Sequence, residues 1–175
     1  LSLARVYLDI GDYETAEEYV SKSLEMEVGR SAIRNYNFLM MPQGKFKEAL
    51  QFIDSTCHQG DWHWDCSKAL FQLSWLLGDF EKAEQYWDQL QNPGSWRHEI
   101  GYVYHHLGKT EEAKKAFTES IEKLESAVVR ENLTLSRIYA FKGNRVEALK
   151  NLNEFAKRGF TMGWHDFILI DPFFE

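Results

Sequence analysis

The densest grouping of chemistry-bearing side chains in this 175-residue sequence is Cys57-His58 followed by His63-x2-Cys66. Two thiols and two imidazoles are the donor types of a tetrahedral zinc site, which requires all four to converge at about 2.0–2.3 Å. The spacing fits no standard zinc pattern, because Cys57 and His58 should end one helix while Cys66 begins the next. The expectation is therefore no metal, with both cysteines as small buried apolar side chains and the histidines on a loop surface. Two cysteines make no disulfide framework, which favours a reducing compartment.

A second grouping is His98, Tyr102, His105 and His106. Adjacent histidines point in different directions from a helix, whereas His98 and His105, seven apart, share a face. They read as binding rather than catalytic residues. The third grouping, Trp62, Trp64, Trp75, Trp87 and Trp96, reads mainly as packing. Asn132-Leu133-Thr134 is a formal glycosylation sequon and reads as solvated helix surface. Nucleophile elbows, phosphate loops and paired carboxylates are absent from the sequence, so no catalytic residue, metal or cofactor is expected.

The elements that carry these residues follow from a repeat. Five times a glycine is followed five residues later by an alanine: Gly11/Ala16, Gly44/Ala49, Gly78/Ala83, Gly108/Ala113 and Gly143/Ala148. The glycines are 33, 34, 30 and 35 residues apart, and a helix–turn–helix period of ~34 residues marks a solenoid. Around Gly108, the residues Ile100, Gly101, Tyr104 and Leu107 share one helical face. Gly108 ends that helix, since a left-handed backbone is cheap without a Cβ. Glu111 and Glu112 open the next helix at its positive end. Gly101 and Ala113 are small where two helices would cross, and Phe117 is large where the next repeat must be reached. The spacing predicts helix pairs at 1–10 with 13–28, 31–41 with 45–58, 65–77 with 80–91, 95–107 with 110–126, and 129–142 with 145–158.

These positions resemble the tetratricopeptide repeat (TPR) family over nearly the whole chain. The turn aromatic stands at Tyr13, Phe46 and Phe80 and becomes Thr110 and Arg145 later. The small residue of the first helix is Ala4, Gly101 and Ser136, but Asn37 and Phe71 in the second and third repeats, where looser packing is expected. The resemblance implies an all-α superhelix of five helix pairs over residues 1–158, the first truncated at its start, with a C-terminal capping segment at 159–175. In that segment Phe160, Trp164, Phe167, Ile168 and Phe173 are expected to cover the last helix. The chain begins at Leu1 without a methionine and so reads as part of a longer protein.

In TPR arrays the first helix of each pair lines the concave groove. The resemblance therefore places Arg34, Phe38, Lys68, Gln72 and Trp75 at exposed groove positions, with His98, Tyr102, His105 and Arg137 further along. The chain carries a net charge of −7, yet the groove positions so assigned hold basic residues and no carboxylate. That asymmetry would focus positive potential on an acidic or C-terminal peptide. Phe38 and Asp65 stand where the chaperone-binding carboxylate clamp needs Asn and Lys, which argues against a chaperone tail.

The function implied is a non-catalytic protein- or peptide-binding scaffold. The net charge argues against nucleic acid, because phosphate binding draws on clustered Lys and Arg. No apolar run approaches the ~20 residues that span a bilayer, and a cytoplasmic location is expected. The alternative rests on the closing segment: its Gly-Phe, Trp and Asp-Pro-Phe are similar to the segment after TPR arrays in bacterial signalling proteins. There the repeats would be the sensory or regulatory region of a transcription regulator, cyclase or kinase.

Overall fold

The computed structural model describes residues 3–26, 30–57, 63–90, 97–127, 131–158 and 171–174. The described elements are α-helices in consecutive pairs and one closing 3-10 turn, and they form two compact units. Among the described residues, those up to 90 form the first unit and those from 97 onward the second. The first contains α1 (Leu3–Asp9) and α2 (Tyr13–Met26), α3 (Arg30–Met40) and α4 (Phe46–Cys57), and α5 (His63–Leu76) and α6 (Phe80–Asp88). The second contains α7 (Arg97–His106) and α8 (Thr110–Ser126), α9 (Asn132–Phe141) and α10 (Arg145–Lys157), and the 3-10 turn Pro172–Phe174.

Each pair turns on its register glycine. At Gly108, φ is 73°, so its N–H reaches the carbonyl of His105 at 3.0 Å and that of Lys109 reaches Tyr104 at 2.8 Å. This 6→1 and 5→2 pattern is a Schellman motif, which satisfies carbonyls that the helix end leaves open. The same two bonds recur at Gly11, Gly44, Gly78 and Gly143. The residue after the glycine then opens the second helix. Asp12, Asp79 and Asn144 accept the N–H three residues on, at 3.1, 3.2 and 3.3 Å, as good N-caps do. Lys109 opens α8 without a side-chain cap.

The alanines are small because they sit inside the pairs. Ala16, Ala49 and Ala83 are fully buried, and Ala113 and Ala148 nearly so. Gly101 lies against the Phe117 ring, where an added Cβ would come within 3.1 Å of it. Ser136 holds its pair together differently, donating from Oγ to the Ala148 carbonyl at 2.9 Å.

The looser packing expected of the second and third repeats holds only for α3 and α4. The third pair, α5 and α6, packs about as closely as its neighbours. There Phe71 is fully buried and meets the Trp87 ring at 5.2 Å; a ring fills the crossing instead of a small residue. The sequon is a second correction. Asn132 is buried and donates to Asn151 Oδ1 at 3.2 Å, so its amide belongs to the α9–α10 interface and not to solvated surface.

Candidate partner-binding faces

In the first unit the site residues come from α3 and α5. Arg34 is exposed, while Phe38, Lys68 and Gln72 are half-buried. The Arg5 guanidinium of α1 lies 4.2 Å over the Phe38 ring, a cation–π arrangement that holds both side chains at the same face. Trp75, expected to be an exposed anchor, is 2% exposed and belongs to the interior. Trp62 and Trp96 lie outside the described residues, and so does the side chain of Trp64.

The cysteine reading is overturned. Cys57 and Cys66 form a disulfide, with Cα atoms 5.9 Å apart. It ties the end of α4 to the first turn of α5, so neither cysteine offers a thiolate to zinc nor stands as a free apolar side chain. His58 lies outside the described residues. Among the described residues no group of three or more His, Cys, Asp or Glu is placed to hold a metal ion.

In the second unit α7 and α9 present a charged and aromatic seat. Arg137 reaches from α9 to Glu99 on α7, with Nη1 3.3 Å from Oε1, and lies 2.9 Å from His98 Nε2. Its Nε sits 2.7 Å from Asp171 Oδ2. The side chains of Glu99, Arg137 and Asp171 are 6%, 14% and 13% exposed, so the ion pairs act where water screens them little. One guanidinium thus serves two carboxylates. Burial pushes the Asp171 carboxyl above the usual carboxylate range, against the pull of Arg137 and of the Phe173 N–H it accepts.

Phe173 completes the seat. It is 2% exposed and lies 4.5 Å under the Arg137 guanidinium. Its ring centre is 4.9 Å from that of Tyr102, 5.7 Å from His98 and 5.8 Å from Phe141. His98 and Tyr102, expected at exposed positions, are buried at 5% and 7%. His105 is exposed and meets the Phe141 ring edge-on at 5.0 Å. Burial, with His105 nearby, holds His106 below the ordinary imidazole range.

Sequence reasoning placed Arg137, His98 and Tyr102 on one face, and the structure brings these three together. It missed both carboxylates: Glu99, beside His98 on the buried side of α7, and Asp171, whose motif was assigned to a cap on the last helix. Of that cap, Phe160, Trp164, Phe167 and Ile168 lie outside the described residues. Phe173 lies on α7 and α9, and Val146 and Leu149 of α10 are 76% and 55% exposed.

A family model for the tetratricopeptide repeat matches residues 1–27 and 97–122. Those two stretches are similar to the TPR family. Among solved structures, the fold is similar to the nearly identical TPR-like repeats of a Podosopora anserina protein assigned as a kinesin light chain. A point variant of that protein superposes with a TM-score of 0.55 at 18% identity, over 87% of this chain and 89% of that one. The parent form gives 0.54 and 18%, over 86% and 89%. At that identity the likeness is one of fold, an all-α TPR solenoid. No curated protein matches this chain in sequence. None of these matches bears on the similarity of the closing segment to bacterial signalling proteins. TPR repeats are protein-interaction scaffolds, and among the described residues no helix is long and apolar enough to cross a membrane.

Proposed function

We propose that this chain is a non-catalytic scaffold that binds an acidic protein segment on the faces of its first helices. One observation carries the reading. Arg137, at a first-helix position, already holds two carboxylates at 2.7 and 3.3 Å, which is how such a position treats an acidic ligand. In the first unit, Arg34 and Lys68 occupy the comparable positions, and Arg5 over Phe38 adds a cation beside an aromatic surface. Gln72 supplies a further polar contact. The buried Trp75, His98 and Tyr102 act from beneath, by fixing the backbone and neighbours of the residues that touch the partner. His105 offers an exposed ring at the edge of the second face.

The overall charge of −7 supports a protein partner over nucleic acid or an anionic membrane surface. The disulfide bears on location. Such bonds persist in oxidising compartments, so Cys57–Cys66 supports an oxidising site of action and counts against the cytoplasmic location expected from two unpaired cysteines.

The test is an array of acidic peptides probed with the folded chain and with an Arg34→Glu/Lys68→Glu variant. Binding should fall as salt rises, since the charges are partly exposed, and the variant should bind at least tenfold more weakly through slower association. Equal binding by the folded variant, unaffected by salt, would move the site elsewhere.

A further inference from the structure

We infer that the face of α7 and α9 is a receptor for a partner segment in which an aspartate is followed two residues later by phenylalanine, and that the chain's own Asp171–Phe174 is its resident, displaceable occupant. This deepens the proposed function by naming the ligand class of one face, and it rests on that reading.

Three features of the occupant make it ligand-like. It is a short self-organised turn: Asp171 Oδ1 accepts the Phe173 N–H at 3.0 Å, and the Asp171 carbonyl accepts the Phe174 N–H at 3.0 Å. Proline at 172 fixes φ and lowers the entropy lost on docking. Two side chains carry the contact, Asp171 on Arg137 and Phe173 between Arg137 and Tyr102. A buried aromatic flanked by one ion pair is the make-up of an interface hot spot.

The seat also carries polar groups a dry packing surface would not need. Arg137, Glu99 and His98 are buried and ionisable, and apolar residues of like volume would stabilise a permanent contact as well or better. Buried charges of this kind confer selectivity, because an apolar segment without a carboxylate would leave Arg137 less well matched. The positions that the second face offers a partner are the ones the tail fills. A partner segment of the same chemistry must therefore compete with the tail, and binding in the intact chain is weakened by the fraction of time the seat is closed.

The experiment uses the full chain and a fluorescein-labelled peptide with the sequence of residues 170–174, followed by anisotropy. The intact chain should bind it weakly. An Asp171→Ala/Phe173→Ala variant, whose seat is vacated, should bind at least tenfold more tightly. The peptide carrying Phe173→Ala should lose at least tenfold on that opened chain, and the peptide carrying Asp171→Ala severalfold. Should the double variant lose its helical circular dichroism, Phe173→Leu, which keeps apolar volume, replaces it with a smaller expected gain of threefold or more. Equal binding by intact and opened chains, or no dependence on the peptide's phenylalanine, would overturn the inference. So would a concentration-dependent dimer abolished by Phe173→Leu, which would make the seat a tail-exchange device between copies. Failure here with a normal result for Arg34→Glu/Lys68→Glu would leave the scaffold reading intact and remove only this face from it.

Discussion

Reducing the Cys57–Cys66 bond should destabilise the first unit by an amount that follows from its place in the chain. The two cysteines are nine positions apart in sequence. Closing a loop of about ten residues removes roughly 9 cal/mol/K from the unfolded chain, or ~2.7 kcal/mol at 25 °C in the chain-entropy account. Little should be lost on the folded side. Both cysteines are buried, and free buried thiols pack as small apolar groups. The assay is urea unfolding with and without reductant, followed by helical circular dichroism. With a slope of ~1–3 kcal/mol/M, the midpoint should drop by about 1–3 M. A Cys57→Ala/Cys66→Ala variant should match the reduced protein and lose all sensitivity to reductant. Two results would refute the reasoning: two free thiols per chain in the denatured, unreduced protein, or midpoints for oxidised and reduced chains within about 0.2 M. Either would restore the reading of two independent buried cysteines.

Three further perturbations test the packing and the seat. Gly101→Val should destabilise by ~1–3 kcal/mol through overpacking against Phe117, whereas in Gly101→Ala the crowding at 3.1 Å is largely offset by ~1 kcal/mol of helix propensity; melting temperatures should rank wild type and Ala close together, with Val well below. Gly108→Val, at φ 73°, should cost about 1–2 kcal/mol or more for the left-handed backbone alone, with no change in the other turns' hydrogen-exchange protection. Asp171 has a folded-state pKa above its ordinary 3.8, so the docked tail holds its proton more tightly than the undocked one. Its contribution is then fully present below the ordinary value and is lost as pH rises through the raised one. Glu99, His98 and Arg137 face the same carboxyl, so the measurement is the difference in urea midpoint against pH between wild type and Asp171→Asn. Wild type should gain on Asp171→Asn as pH falls through the raised value; a wild type that gains on Asp171→Asn as pH rises would contradict the sign.

Much of the architecture was legible because its determinants are local. A glycine that must adopt positive φ, an N-cap directly after it and an alanine five on are set within one turn, and each is visible as a residue type at a spacing. The second helices expected at 110–126 and 145–158 accordingly appear at Thr110–Ser126 and Arg145–Lys157. Helical periodicity likewise placed His98 and His105 on one face, and the TPR resemblance added Tyr102 and Arg137 to the same side of the repeats. Those are properties of one strand of sequence read in its own helical frame.

What only the tertiary structure decided was contact between residues far apart in the chain. Phe71 looked too large for a helix crossing, but Trp87 offered it a ring to pack against. Trp75, His98 and Tyr102 looked exposed, because periodicity tells which residues share a face and not what covers it. Cys57 and Cys66 carry no spacing signature of pairing; their bond exists because two helix ends meet with Cα atoms 5.9 Å apart. The same holds for Asp171, which is 34 residues beyond Arg137 in sequence and 2.7 Å from it in space. Local propensity fixes an element's boundaries and stripe, whereas burial, cross-linking and charge pairing are settled by which stripes meet when the chain folds.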